Sequence, residues 1–439
     1  MHQSTFNPNI MSRLKSTLLG YYVPSFFEMH INTFTDDLTI TSLSPEDRVV
    51  LYHEYIHFLQ DVSTYYGLNA IYAHGEYIHS VVTRIYQEQK SSFIVPFEIL
   101  DNNDNVLLNR RLANLTQGDD TPISKLVITQ IEESEDEISI PNKYIERIPN
   151  IIIHTTDSMM IFGAIAIMEN MAYIYERLCE PEYYKKSPDF PYRAAELVAD
   201  FYVPNFSKDL LMVLALCDMC LQSSNPGACF VRVMKGIQSG ELCFSKPEDI
   251  YDHFYRQSTT KADDETSSTF IENFLSLLHV VEAHLKSYLR DIPGIENYYA
   301  WIDRIIKFST FCRVEDRYFI LNMARNKCIV DNGHFGKAIH DIGTPLMSNN
   351  NNNYFIIPPD GLEPELNVEI LKAVREIEKV FEFASDSCNM YQWCNKSPQS
   401  NPNKLCLTSP WLKSKEERLC PFGLLWKHWK LANYIPVKS

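Results

Sequence analysis

The stretch SLSPEDRVVLYHEYIHFLQDV, residues 42–62, restricts the fold more than any other part of this chain. Ser44 offers an N-cap hydroxyl, Pro45 suits the first helical position, and Glu46 and Asp47 complement the positive end of a helix dipole. Ser44 and Asp47 also stand at capping-box spacing, with Asp in place of the usual Glu. A helix is therefore predicted to start near residue 45. One to two turns inside it stand His53, Glu54 and His57. At about 100° per residue, His57 lies about 40° from His53 and one turn on, so both imidazoles reach a single ion. Glu54 is offset by about 100°, which places it beside such an ion, where a base can take a proton from an activated water. Leu51, Tyr55, Phe58 and Val62 fall on the opposite side. The pattern predicts one apolar stripe for the core and one polar stripe for the histidines, extended by Gln60 and Asp61 as outer supports of the ligands.

Chance is a poor explanation. With 13 His and 31 Glu among 439 residues, an H-E-x-x-H match is expected in roughly 0.03 places. A site of this kind needs a third protein ligand and one open position. The best candidate is Glu169 in FGAIAIMENMAYIYERL. It is a lone carboxylate in an apolar helical run, costly to bury unless something compensates it. Gly163, Ala164 and Ala166 just before it predict a close helix–helix approach. Glu176, two turns on and on the same face, is the rival ligand. Tyr173 lies one turn from Glu169, and ordinary packing is its expected role.

The motif resembles the active-site helix of the zincin metallopeptidases, which carries HExxH. The segment ENMAY is similar to the E-x-x-A-type segment of gluzincins, in which Glu supplies the third ligand. The further His of the metzincins is absent, because FLQDVSTYYG follows His57. The resemblance implies an α+β, mainly α fold, with a zincin-like core, a small N-terminal β element and additional helices. It implies Zn2+ held by His53, His57 and Glu169, with Glu54 as general base, and a protein or peptide substrate. Tyr173 would be the oxyanion donor in such a scheme.

A second chemistry is open. HGEYIH at 74–79 half-repeats the motif, but His74 and His79 are five apart and cannot share an ion from one helix. The pairs Glu54/His57 and Glu76/His79 both fit E-x-x-H, the unit of ferritin-like di-iron carboxylate bundles. That oxidoreductase reading leaves His53 without a role, and Gly75 weakens the second helix.

Charge and hydropathy narrow the partners. A formal net charge of −16 disfavours a nucleic-acid binder or an anionic membrane surface as partner. The longest apolar run, MMIFGAIAIM at 159–168, is about half a membrane span. The N-terminus lacks an apolar signal core, which makes the cytoplasm the expected location. The 11 cysteines are then expected as thiols or metal ligands. Cys217 and Cys220 form CxxC inside an apolar helical run and read as packed, inert thiols. Cys388, Cys394, Cys406 and Cys420 fall among polar and Pro-containing turns. They suit a structural zinc about as well as a chance gathering of four thiols.

Patterning predicts one or two short strands before residue 35 and a helix over 68–88. The chain changes character over 89–145, with strands and turns expected in SSFIVPFEILDNNDNVLLNRRL, 91–112, and a solvated acidic loop at IEESEDE, 131–137. Further helices are expected near 156–180, 191–203, 207–223, 246–258, 266–290, 296–312 and 367–384. SNNNNNYFIIPPDG reads as a mobile surface loop. The expected organisation is a catalytic core over 1–240, a helical region covering it over 241–385, and a cysteine-containing tail over 386–439.

Overall fold

The computed structural model describes residues 19–88, 90–99, 105–140, 144–260, 267–292, 294–326, 328–363, 366–396 and 401–439. Helix outweighs strand, 54% against 12%, and the strands are split among small separate sheets. The chain is α+β and mainly α, as its sequence predicts. Two short strands, β1 (Gly20–Val23) and β2 (Glu28–Ile31), precede helix α1 (Pro45–Ser63), which carries the motif. Ser44 caps α1 as expected, accepting the Asp47 N–H at 3.1 Å. The Asp47 carboxylate does not close a capping box. It accepts the Thr33 hydroxyl at 2.9 Å and ties the strand segment to the helix start.

The two-stripe expectation for α1 fails, since every residue from Val49 to Ser63 is buried. The helix is a central rod. It is enclosed by β1, β2, α2 (Tyr65–Glu88), the Glu296–Thr310 helix, and α4 (Ala164–Cys179), which follows α3 (Asn105–Gln117) in the chain. In a chain this long a single core has room to surround one helix. The polar face of α1 is then satisfied by partners inside the protein instead of by water. Asp61 shows the outcome. It supports no ligand but accepts the Tyr22 hydroxyl at 3.0 Å and the Ser25 N–H at 2.6 Å.

β1 and β2 are antiparallel, with Gly20 opposite Ile31, and β2 runs parallel to Leu346–Asn349. The Asn-rich segment is not a mobile loop. It turns between Leu346–Asn349 and Tyr354–Phe355, and the Asn351 and Asn353 amides both donate to Asp36. The acidic stretch 131–137 is likewise no loop. It belongs to strand β4 (Gln130–Ile140), antiparallel to β5 (Tyr144–His154), which pairs in turn with β6 (Met159–Ile161). Its carboxylates face counter-charges, among them Glu132 with His154 at 2.8 Å and Glu137 with Arg147 at 3.5 Å. Such cross-strand pairs offset the poor strand propensity of Glu and Asp.

Between 89 and 117, Ser92–Val95 is a strand, β3, but NVLLNRRLANLTQ forms α3, consistent with its Leu and Arg content. The helix expected over 156–180 begins only at Ala164, behind β6. The six later expected helices are present, two of them α5 (Ala194–Tyr202) and α6 (Leu210–Cys220). Helices at Pro226–Ser239, Gly333–Ile342 and Pro421–His428 carried no recognised sequence signal. One apolar core extends from Tyr22 to Leu431 and draws on all three segments of the expected organisation. The Ile435–Lys438 strand pairs in parallel with β3, which ties the C-terminal segment to the body. Among the described residues no helix is long and apolar enough to cross a membrane.

Candidate metal centre

His53 and His57 project from α1 toward α4, where Glu169 and Glu176 stand two turns apart. His53 bridges the two carboxylates. Its Nδ1 lies 2.5 Å from Glu176 Oε1, and its Nε2 lies 3.2 Å from Glu169 Oε2. His57 Nδ1 lies 2.8 Å from the Gln60 side-chain oxygen, and the Gln60 amide donates to the Met168 carbonyl at 3.0 Å. The partners orient the rings: each Nδ1 is turned outward to an acceptor, and each Nε2 is turned toward the centre. His57 Nε2 and His53 Nε2 are then 3.1 Å apart, with Glu169 Oε2 3.6 Å from the former.

Three atoms able to ligate an ion, two imidazole nitrogens and a carboxylate oxygen, thus face one another. Among the described residues, His53, His57 and Glu169 form the only set of His, Cys, Asp or Glu ligand atoms that all lie within 4.8 Å of one another. Ligand bonds of about 2.0–2.1 Å at tetrahedral angles imply edges of about 3.3–3.4 Å. The observed edges of 3.1, 3.2 and 3.6 Å straddle that value. The geometry thus groups Glu169 with the two Nε2 atoms, while Glu176 lies behind His53 against its Nδ1. Of the small residues before Glu169, Gly163 serves a different contact. A Cβ on Gly163 would lie 2.6 Å from the Gln117 carbonyl carbon and the Gly118 nitrogen, so that room serves the end of α3 and not α1.

The electrostatics fit a cation. Burial alone would push both imidazoles down. Glu176 and Glu169 outweigh it at His53, and Glu169 outweighs it at His57, so both pKa values rise above the ordinary range. Burial would raise the Glu169 carboxyl, but the two histidines hold it well below the usual carboxylate range. Glu54 differs. Burial pushes it up to about 7, and the opposing pull of His53 and His57 does not cancel the shift. His53, Glu54, His57 and Glu169 each keep 6–7% exposure, so solvent reaches the centre.

Two neighbours carried no sequence signal. Tyr192, in the turn into α5, has its ring 6.1 Å from that of His53. Burial, reinforced by Glu169, Glu54 and Glu176, drives its phenol far above the normal value. Neither the Glu54 carboxylate nor the Tyr192 hydroxyl has a hydrogen-bond partner among the described residues, and neither is closed off from solvent. Tyr173 stands behind Tyr192, with ring centroids 6.0 Å apart, and its hydroxyl accepts the Ser187 N–H at 3.4 Å. Gly20 of β1 passes over Glu54. A Cβ there would lie 3.1 Å from Glu54 Oε1 and 2.7 Å from Val50 Cγ1, so only glycine leaves the carboxylate its space.

The second E-x-x-H pair lies elsewhere. Glu76 is 3.8 Å from His284, His79 is exposed, and His74 binds Glu378 at 2.9 Å. Cys217 and Cys220 are wholly buried on α6, and burial raises both thiols. Cys388, Cys394, Cys406 and Cys420 line one small cavity distant in sequence from the motif. No protein-family model, no curated protein and no solved structure matches the chain.

Proposed function

We propose that the protein is a zinc-dependent hydrolase, most plausibly a peptidase, whose ion is held by His53, His57 and Glu169. The observation that carries this reading is the convergence of three atoms able to ligate an ion, at tetrahedral edge lengths, beside a carboxylate, Glu54, that is not one of them. Two imidazoles and one carboxylate suit zinc better than calcium or magnesium, which prefer all-oxygen sets. Bound there, zinc would supply Lewis acidity toward a carbonyl and make water a nucleophile near neutral pH.

The remaining steps belong to the chain. Glu54, with its carboxyl at about 7, is matched to taking the proton from the attacking water and passing it to the leaving amine. Tyr192, not Tyr173, offers a hydroxyl to the oxygen that gains charge in the transition state. Glu176 and Gln60 keep the imidazoles in the tautomer that binds the ion. A peptide substrate is supported by the HExxH resemblance and by β1. This strand is the outer member of its sheet and passes over Glu54 at Gly20, so an extended chain can add alongside it.

The test compares wild type with Glu54→Gln on a peptide library read by mass spectrometry, alongside the metal content of both. The variant should keep its zinc and fold, yet lose about 10²–10⁴-fold in cleavage rate, because an amide takes no proton. A Glu54→Gln protein that cleaves as well as wild type refutes the mechanism. One that loses its metal makes Glu54 a ligand and favours di-metal carboxylate chemistry.

A further inference from the structure

We propose that Cys388, Cys394, Cys406 and Cys420 bind a second zinc ion that fastens the C-terminal segment together. The proposal stands apart from the hydrolase reading, since it shares no residue with the His53/His57/Glu169 centre.

The four positions come from four different elements. Cys388 follows the Glu369–Phe383 helix, Cys394 lies in the Tyr391–Lys396 helix, Cys406 sits in the 3-10 turn Lys404–Leu407, and Cys420 caps the Pro421–His428 helix. All four line the same small cavity, closed by Met390, Tyr391, Pro410 and Phe422. Cys388, Cys394 and Cys406 are 6–7% exposed. Among the described residues, which include every cysteine, there is no disulfide, so their convergence has no covalent explanation.

The sulfurs are furnished as acceptors. The Gly423 N–H donates to Cys420 Sγ at 3.5 Å, and the Phe422 amide also faces that sulfur. The Met390 amide faces the Cys388 sulfur. Backbone N–H groups aimed at sulfur stabilise a thiolate more than a thiol. Lys413, 1% exposed, lines the cavity and adds positive potential, sharing its charge with Glu416. A backbone bond from Cys388 N–H to the Cys406 carbonyl, at 2.7 Å, holds two of the four in register. No three of these sulfurs lie within 4.8 Å of one another. Closure onto an ion therefore requires side-chain rotation. The gain is structural. One six-residue helix and two 3-10 turns separate these cysteines, too little regular structure to hold itself.

The test uses the full chain carrying His53→Ala/His57→Ala, which empties the first centre. It should still hold about one zinc per chain, against about two in wild type. Replacing that zinc with cobalt should give the intense thiolate-to-cobalt charge-transfer absorption of a tetrahedral sulfur site. Adding Cys388→Ser/Cys406→Ser should abolish both metal and absorption, and a strong chelator should open residues 386–420 to proteolysis. If the His53→Ala/His57→Ala chain is folded, binds no zinc, gives no such cobalt band and has four freely alkylated tail thiols, the proposal is overturned. An iron–sulfur chromophore at these cysteines overturns it as well. Should the serine variant fail to fold, the cobalt spectrum of the His53→Ala/His57→Ala chain decides alone.

Discussion

At the C-terminal end of α1, Arg313 and Asp218 meet with no exposure at all. The guanidinium grips the carboxylate in a two-pronged pair at 2.8 and 2.9 Å, and its Nε donates to the Ser63 carbonyl at 2.6 Å. Tyr251 fills the remaining acceptor site of Asp218 at 2.8 Å, and the Ser309 hydroxyl donates to the Val62 carbonyl at 2.6 Å. Two turns earlier on the same helix, His53, His57 and Glu169 are buried almost as deeply but crowd two imidazole nitrogens and a carboxylate oxygen against one another. The first cluster carries one cation, one anion and a donor for every acceptor, and it places a positive charge where a helix ends in bare carbonyls. The second has surplus carboxylates and a residual opening to solvent. Burial is common to both. What separates a group that holds a fold from one that awaits a ligand is whether the protein completes its hydrogen bonding.

The contrast is broken most forcefully at the structural end. Asp218→Ala leaves Arg313 charged, buried and unpaired, which should cost about 3–5 kcal/mol in unfolding free energy. The folded fraction should keep its zinc unchanged. Denaturant titration and metal analysis of the same samples check both halves. An Asp218→Ala protein of wild-type stability would mean that water or another side chain replaces the carboxylate. Loss of zinc at constant stability would mean that the two clusters are coupled along α1.

Glu176→Gln acts at the other cluster and should weaken zinc binding about 10–100-fold while leaving stability near wild type. Glu169→Ala, in contrast, should strip the ion. If Glu176→Ala strips it and Glu169→Ala does not, the ligand and its support have exchanged roles. The pH dependence sharpens the assignment. Without an ion, His53 and His57 hold protons to higher pH than a free imidazole. Zinc must displace those protons, so affinity should fall as pH drops, starting at a higher pH than free imidazoles would give. In Glu176→Gln the strongest opponent of burial at His53 is gone, and burial then lowers its pKa. Less proton competition remains, so the gap between variant and wild type should narrow toward low pH. A gap that widens instead would contradict the role given to Glu176.

Much of this centre was legible because a helix fixes angles. The capped start at Ser44 set the register of α1, and register alone put His53 and His57 on one face with Glu54 beside them. Glu169 was legible as a carboxylate in an apolar helix, although Gly163 before it serves another contact. Tyr192 and Gly20 were not, because their approach to the site depends on how β1 and the turn into α5 pack over α1, and nothing local to either position encodes that. The acidic β4 misled for a related reason: charge run and loop coincide only when no partner strand carries the opposite charges. α1 itself misled in its stripes, since pattern distinguishes polar from apolar faces but does not say whether the polar face meets water or Glu169, Glu176 and Tyr22.

Gln60 gives the smallest effect and the finest division between support and ligand. Its oxygen fixes the tautomer of His57, and its nitrogen holds the Met168 carbonyl, one residue before Glu169. One neutral side chain therefore ties both a ligand on α1 and the backbone under a ligand on α4. A neutral hydrogen bond contributes about 0.5–1.5 kcal/mol net. Gln60→Ala should accordingly weaken zinc binding by only about 3–10-fold, less than Glu176→Gln, because His57 loses an orienting acceptor but no charge. The measurement is competitive zinc titration of the two variants side by side at one pH. Were Gln60→Ala the more damaging, the dominant support of this centre would be the spacing of α1 and α4, and the carboxylate behind His53 would matter less than its charge suggests.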